Sequence, residues 1–333
     1  MRKKWLWAIP VVLIGIYLLG PRPVAPVYKI EMPVIPSSAD QLEEYIKNNE
    51  ARHKIKPDNE ARIIWADDSL KQKTDYAIVY LHGFSASQAE GDPVHKNIAK
   101  EFGCNLYLSR LAEHGIDTVD ALINLTADNY WESAKQALAI GKQLGKKVIL
   151  MGTSTGGTNA LQLAATYPDD VAALILMSPN IAINDPNAWL LNNHWGLQIA
   201  HLVLKSNYIT SKDDRPIYKQ YWNWKYRAEA ATALEEMLET TMNKETFSKV
   251  KQPVQLLYFY KDETHQDSTV KVSAMLDMYN ELGTPDSLKR KQAMPNAGTH
   301  VIGSYIRSHD VEGVQKEIEK FMVEVLKLKE VNN

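Results

Sequence analysis

The chain has 333 residues, enough for one large α/β domain with an insertion or for two small domains. Apolar residues make up 45 %, which fits a substantial core, and a formal net charge of −2 gives no reason to expect nucleic acid or another strongly charged partner. The single cysteine, Cys104, excludes an intrachain disulfide, and its place in the apolar run Cys104–Leu108 is that of a buried structural thiol.

Met1-Arg-Lys-Lys4 is a positive cluster ahead of the uncharged apolar stretch Trp5–Gly20. That pattern predicts a signal anchor or a signal peptide over residues 1–20, with the rest of the chain outside the cytoplasm. The stretch is short for a span, which takes about 20 residues. Gly20 and Ala25 are each followed by proline, which disfavours cleavage, so an uncleaved transmembrane anchor is the preferred expectation and secretion after cleavage the alternative. No cysteine follows the apolar run, which excludes a lipoprotein anchor. Pro21, Pro23, Pro26, Pro33 and Pro36 predict an extended, semi-rigid linker holding the catalytic part off the membrane. With a short amphipathic helix at Ser38–Ile46, capped by Ser38 or Asp40, it fills residues 21–61.

Arg62–Trp65 reads as a strand, and Ala77–Leu81 as a buried parallel strand running into His82-Gly83-Phe84. A loop there can offer a backbone N–H to a developing oxyanion, with Phe84 as donor and Gly83 permitting close approach. His82 reads as a brace for that loop. Asn105–Leu108 is a further strand, followed by the turn-rich Arg110-Leu-Ala-Glu-His-Gly115. Asp128–Gly141 is a capped helix with Trp131, Ala134 and Leu138 on its apolar stripe. Val148–Met151 is a buried strand that turns at Gly152-Thr-Ser-Thr-Gly156 into a small-residue helix. G-x-S-x-G between strand and helix is a nucleophile elbow, which makes Ser154 the nucleophile and Thr155 N–H the second oxyanion donor. Val171–Met177 is the next strand, and strands alternating with helices at these lengths predict a doubly wound, mostly parallel sheet.

At these motifs the chain resembles the α/β-hydrolase family, in its serine-aminopeptidase-like, monoacylglycerol-lipase-like and small carboxylesterase branch. The resemblance runs over residues 62–328 and treats Ile181–Val250 as an insertion. It implies a core at 62–180 and 251–330, a helical cap at 181–250, a Ser-Asp-His triad, and no metal or cofactor. The chain departs from the family at Thr153, where relatives often carry histidine or a larger residue. Its oxyanion loop is of the His-Gly-Phe kind, which by analogy implies ordinary acyl esters. Pro253–Tyr260 is the strand after the insertion, and Asp262 falls at the loop position the family uses for its acid. Glu263 and Asp267 compete, Asp267 reading more as a cap for the segment after it. Arg290–Met294 is the last strand. Gly298-Thr299-His300 resembles the family's Gly-x-His and makes His300 the base, whereas His309 lies in a polar, exposed setting.

The insertion should choose the substrate. Trp189, Trp195, Tyr208, Tyr218, Tyr221, Trp222, Trp224 and Tyr226 crowd into it, and the apolar run Leu197, Ile199, Leu202–Leu204 is expected on the inner face of an acyl pocket. Arg215–Arg227 interleaves basic and aromatic residues. No wider basic patch accompanies it, so a half-exposed cap helix is preferred over a nucleic-acid or membrane site. Val314, Ile318, Phe321, Val325 and Leu328 predict a closing amphipathic helix. The expected activity is hydrolysis of a small-molecule carboxylic ester through an acyl-enzyme. Peptidase, thioesterase or acyltransferase chemistry on the same triad remains open, as does a non-catalytic binding protein on the same fold.

Overall fold

A computed structural model of the chain describes residues 5–331. In chain order, α1 (Trp5–Leu18) and α2 (Ala39–Glu50) precede β1 (Arg62–Ile64) and β2 (Thr74–Leu81). Then come α3 (Val94–Glu101), β3 (Asn105–Leu108), α4 (Ala127–Leu144), β4 (Gly145–Thr153), α5 (Thr155–Thr166) and β5 (Ala173–Met177). An excursion follows, made of α6 (Gly196–Leu204), β6 (Tyr208–Thr210), α7 (Pro216–Tyr221), β7 (Lys225–Arg227), α8 (Glu229–Thr241) and α9 (Lys244–Lys249). The chain returns through β8 (Val254–Tyr258), the short strands β9 (Tyr260–Asp262) and β10 (His265–Gln266), α10 (Val272–Glu281), β11 (Lys289–Ala293) and α11 (Val311–Glu324).

Seven strands form one sheet in the order β1-β3-β2-β4-β5-β8-β11, parallel except for β1, which runs antiparallel to β3 at the edge. Alternation along the strands divides the core. Ala77, Val79, Leu81, Val148 and Leu150 pack with α4 and α5 on one face; Ile78, Tyr80, Ile149 and Met151 pack with α3 and α11 on the other. The strand order reverses between β2 and β4, so the loops leaving their carboxyl ends lie side by side. α4 starts on a capping box between Thr126 and Asn129, its N-cap two residues before Asp128.

Three expectations change. No helix among the described residues is long and apolar enough to cross a membrane: α1 has 14 residues, about 21 Å of helix against a hydrocarbon core of about 30 Å. Residues 1–4 of the anticipated anchor lie outside the described residues. The proline-rich stretch is no free spacer either; it is a strap laid along the domain. Val27 N–H donates to Asp128 Oδ1 (2.6 Å), and the Lys29 carbonyl accepts from both Trp131 Nε1 and Lys135 Nζ (2.7 Å each). Lys135 also reaches the Glu31 carbonyl (2.9 Å) and Glu132 Oε1 (2.9 Å), and Tyr167 OH donates to the Ile30 carbonyl (2.8 Å). The ammonium of Lys135 is buried, so it needs these oxygens, and the strap supplies two of them. Polyproline-like backbone makes no hydrogen bonds of its own and leaves its carbonyls free for this use.

The third change is in the cap. It is not all helical, since β6 and β7 form a two-stranded antiparallel sheet within it. Its apolar run turns outward: Ile199, Leu202, Val203 and Leu204 on α6 are exposed, Leu202 at 77 % and Val203 at 75 %.

Candidate active site

Ser154 sits between β4 and α5 with φ 52° and ψ −122°, outside the allowed regions for a residue with a Cβ. Such a conformation costs on the order of 1–3 kcal/mol and persists only where neighbours fix it. Here Ser154 N–H donates to the Met177 carbonyl (3.0 Å) and its own carbonyl accepts from Asn180 N–H (2.9 Å). Gly156 is required by close approach, because a Cβ there would lie 1.9 Å from the Leu81 carbonyl oxygen. The turn lifts the Ser154 side chain out of the sheet while α5 starts at Thr155, whose N–H belongs to the first turn that helix geometry leaves without an intrahelical acceptor.

The loop after β2 stands beside it. Gly83 N–H donates to a carboxylate oxygen of Glu90, and Ser85 N–H donates to His114 Nε2 (3.0 Å). These two bonds hold the peptides on either side of Phe84 N–H. His82 is fully buried; its Nδ1 donates to the Gly83 carbonyl (2.9 Å) and its Nε2 accepts from Leu111 N–H (3.0 Å). Burial pushes its pKa down to about 4, so it is a neutral brace across the loop after β2 and the Arg110–Gly115 turn.

His300 is part-buried, and its Nδ1 lies 2.6 Å from Asp267 Oδ2. Burial disfavours the imidazolium, but the Asp267 charge and hydrogen bond outweigh it and leave the His300 pKa above its usual value. Among the described residues, His300 Nε2 is buried with no hydrogen-bond partner. The His300 ring and Ser154 line one cavity of about 360 Å³, shared with Phe84, Thr155 and the cap residues Tyr218, Trp222 and Tyr226.

The structure thus pairs His300 with Asp267 and not with Asp262, the acid that the sequence pattern pointed to. Asp262 lies on the exposed β9–β10 turn, where Oδ1 accepts from Thr264 N–H (2.9 Å), Thr264 Oγ1 (2.8 Å) and His265 N–H (2.8 Å), with His265 Nδ1 at 2.9 Å. Those bonds, the Thr264 hydroxyl first, hold its carboxyl well below the usual range, but none leads to His300. Glu263 accepts from Tyr260 OH (2.8 Å) on the same exposed turn. Asp267 is 1 % exposed. Its Oδ1 takes Thr269 N–H (2.8 Å) and Val270 N–H (3.1 Å), so it does cap the following turn, while Oδ2 serves His300. The physical reason for the displacement is the β9–β10 hairpin, which carries the chain out and back before the acid. The segment after Asp267 then pairs with the start of the cap, through the Ile183–Val270 bridge and Asn184 N–H to the Thr269 carbonyl (2.9 Å).

Glu90 had no sequence signal, lying in a polar loop seven residues beyond the glycine it holds. It is 2 % exposed and lines the cavity with Ser154 and His300. Burial pushes its pKa up to about 7 against the pull of the Gly83 N–H and of His300 and Arg307. Arg307, on the same wall, is tied to Asp213 (2.9 Å). Among the described residues, no group of three or more histidine, cysteine or acidic side chains is placed to hold a metal ion.

Residues 126–288 match the family described as serine aminopeptidase, S33. No curated protein matches in sequence. Among solved structures, the chain is similar to a metagenome-derived lipolytic enzyme of the LipS and LipT pair, with a TM-score of 0.64, 16 % identity, 80 % of this chain and 98 % of that one covered. It is similar to Est1E from Butyrivibrio proteoclasticus, at TM-score 0.55, 17 % identity, with 80 % and 94 % covered. It is also similar to a monoacylglycerol lipase from Paleococcus ferrophilus, at TM-score 0.52, 14 % identity, with 77 % and 98 % covered. The sheet order, the strained serine between β4 and α5 and these likenesses make the chain an α/β-hydrolase by fold, similar over residues 126–288 to the serine aminopeptidase family.

Proposed function

We propose that the chain is a serine hydrolase that cleaves carboxylic esters through an acyl-enzyme on Ser154. The observation that carries this reading is the convergence of Ser154, the His300–Asp267 pair and the N–H-bearing residues Phe84 and Thr155 on one mostly apolar cavity. A serine hydroxyl is a weak nucleophile at neutral pH. His300 Nε2 takes its proton during attack and later returns it to the leaving alcohol. Asp267 fixes the Nδ1–H tautomer and stabilises the imidazolium that forms. The N–H groups of Phe84 and Thr155 stabilise the tetrahedral oxyanion, each by about 3 kcal/mol in sites of this type. Water then attacks the acyl-enzyme, with His300 again the base.

Ester specificity is supported by the apolar wall that Tyr218, Trp222 and Tyr226 give the cavity, which suits an acyl chain. The serine aminopeptidase match favours a second reading, amide hydrolysis. A fluorophosphonate probe labels wild type and not Ser154→Ala if the serine is the nucleophile. A panel of p-nitrophenyl esters of rising chain length, set against aminoacyl-p-nitroanilides, separates the two readings, and higher kcat/KM on the anilides sinks the ester assignment.

The N-terminal pattern supports export with the apolar segment retained as a membrane attachment, the catalytic part then lying outside the cytoplasm. Recovery of the chain in the soluble cytoplasmic fraction, protected from external protease, would overturn it.

A further inference from the structure

The cap and the N-terminal helix are joined. Trp195 N–H donates to the Pro21 carbonyl (2.8 Å), Trp195 Nε1 to the Ile16 carbonyl (3.1 Å), and His194 Nδ1 to the Gly20 carbonyl (2.6 Å). The fit is tight enough that a Cβ on Gly20 would lie 2.0 Å from the Trp195 ring. Tyr17 adds an edge-on contact with His194 at 5.4 Å. α6 begins at the very next residue, Gly196.

Both helices are dressed for something other than water. Neither Trp5–Leu18 nor Gly196–Leu204 contains an aspartate, glutamate, lysine or arginine. Exposed apolar side chains run from Ile9, Val11, Val12, Leu13, Ile14 and Ile16 on α1 to Leu202 and Val203 on α6, with Trp189 exposed nearby in sequence. A helix that is apolar all round belongs in a protein core or in lipid, and none of the α1 side chains described, from Ile9 onward, is in a core. A contiguous exposed apolar surface marks an interaction site. α6 is also tied to the cavity at both ends of its excursion, because Leu191 before it and Ile209 after it line the cavity wall.

We propose that α1 and the outer edge of α6 form one lipid-facing surface that seats the cap on a bilayer, so that the cavity opens at the membrane and takes its acyl substrate from the lipid phase. The occupant is lipid because α6 starts one residue after the Trp195 contact with a helix too apolar for water, whose described residues span less than a bilayer. The strap over residues 22–36 is held to α4, so α1 cannot carry the domain at a distance. Whatever receives α1 receives α6 with it. The substrate half of the proposal rests on the ester-hydrolase reading, and the surface half does not.

The test uses the full chain. Val203→Cys carries an environment-sensitive fluorophore; Cys104 is buried with its thiol pushed up to about 12, and stays unlabelled. Lys146→Cys, at the opposite end of β4, is the control. With phosphatidylcholine–phosphatidylglycerol vesicles, the label at 203 shifts to the blue and is quenched by nitroxide lipids, and the label at 146 does neither. Co-flotation with a water-like label at 203 means that α1 alone binds and overturns the proposal, as does a chain that fails to float. A blue shift at 203 without vesicles that grows with protein concentration identifies a second copy as the occupant and also overturns it. In the kinetic arm, Leu202→Glu combined with Val203→Glu lowers kcat/KM on vesicle-borne monoacylglycerol about tenfold or more and leaves soluble p-nitrophenyl butyrate unchanged. An unchanged ratio of the two activities overturns the delivery role. A wild type inactive on every ester sinks the ester reading alone, since the fluorescence arm needs no turnover.

Discussion

The floor and the roof of the cavity are built on different principles. The floor, at the carboxyl ends of β2 and β4, is fixed by main chain: a strained serine, a glycine pressed against a carbonyl, and two N–H groups whose directions follow from the turns that carry them. The roof is fixed by side-chain burial: Trp222, 4 % exposed and stacked on Tyr218 at 5.1 Å, and Tyr226, edge-on to Phe84 at 5.2 Å. Main-chain geometry tolerates almost no substitution, whereas a packed aromatic wall can be rebuilt with other large residues. On the proposed function, chemistry thus sits where sequence is constrained residue by residue, and substrate choice where only bulk and apolarity are constrained.

That contrast is broken most severely at the floor. Ser154→Ala should lower kcat/KM by about 10⁵-fold or more, measured on p-nitrophenyl butyrate. Asp267→Asn should cost about 10⁴-fold by presenting the wrong imidazole tautomer, while Asp262→Asn, on its exposed turn, changes activity less than about twofold. A large loss at Asp262 and none at Asp267 would return the acid to the earlier position. Gly156→Ala should destabilise the fold by about 3 kcal/mol or more through its clash with Leu81, seen as a lowered denaturation midpoint.

The roof should yield more gently. Trp222→Ala should lower stability by about 3 kcal/mol and, by enlarging the cavity, move the preferred p-nitrophenyl ester toward longer chains while Ser154 still labels with fluorophosphonate. Loss of labelling would show that the aromatic wall also holds the floor.

The smallest effects are in pH. On the proposed mechanism neutral His300 is the base, so kcat/KM should rise with pH through an apparent pKa above the usual histidine value, and Asp267→Asn should lower that midpoint. Glu90 behaves oppositely to a salt-bridged carboxylate. Its folded pKa of about 7 lies above the unfolded value, so the native state holds the extra proton. Its contribution is therefore fully present below the ordinary carboxyl range and is lost as pH rises through about 7, by at most roughly 3 kcal/mol. Glu90→Gln keeps an acceptor for Gly83 N–H and should remove that part of the pH slope in thermal denaturation between pH 5 and about 8.

The strained turn at Ser154, the His82-Gly83-Phe84 loop beside it and the place of His300 at the cavity were legible because each is a short contiguous motif whose backbone demand shows in glycine spacing. The carboxylate partner of His300 was not, because its position is set by a hairpin, Tyr260–Gln266, whose polar residues carry no signal of where the chain returns. Asp267 was visible as a cap, which it is, but one carboxylate can cap a turn with one oxygen and hold a histidine with the other. Glu90 was hidden because its partner is a main-chain N–H. The outward turn of α6 was hidden for a different reason: an apolar run announces that it avoids water, and the fold alone decides whether protein or lipid covers it.

The strap has a consequence for processing. Peeling residues 22–36 away would strip Lys135 of two of its oxygen partners and leave a buried ammonium short of acceptors, at a cost of several kcal/mol. A protease that cuts at the junction after Gly20 would therefore shed the apolar helix but not the strap. The trimmed chain would keep the sheet and its cavity and lose the helix that Trp195 and His194 hold, and on the proposed lipid-facing reading that single cleavage would turn a surface-bound chain into a diffusible one.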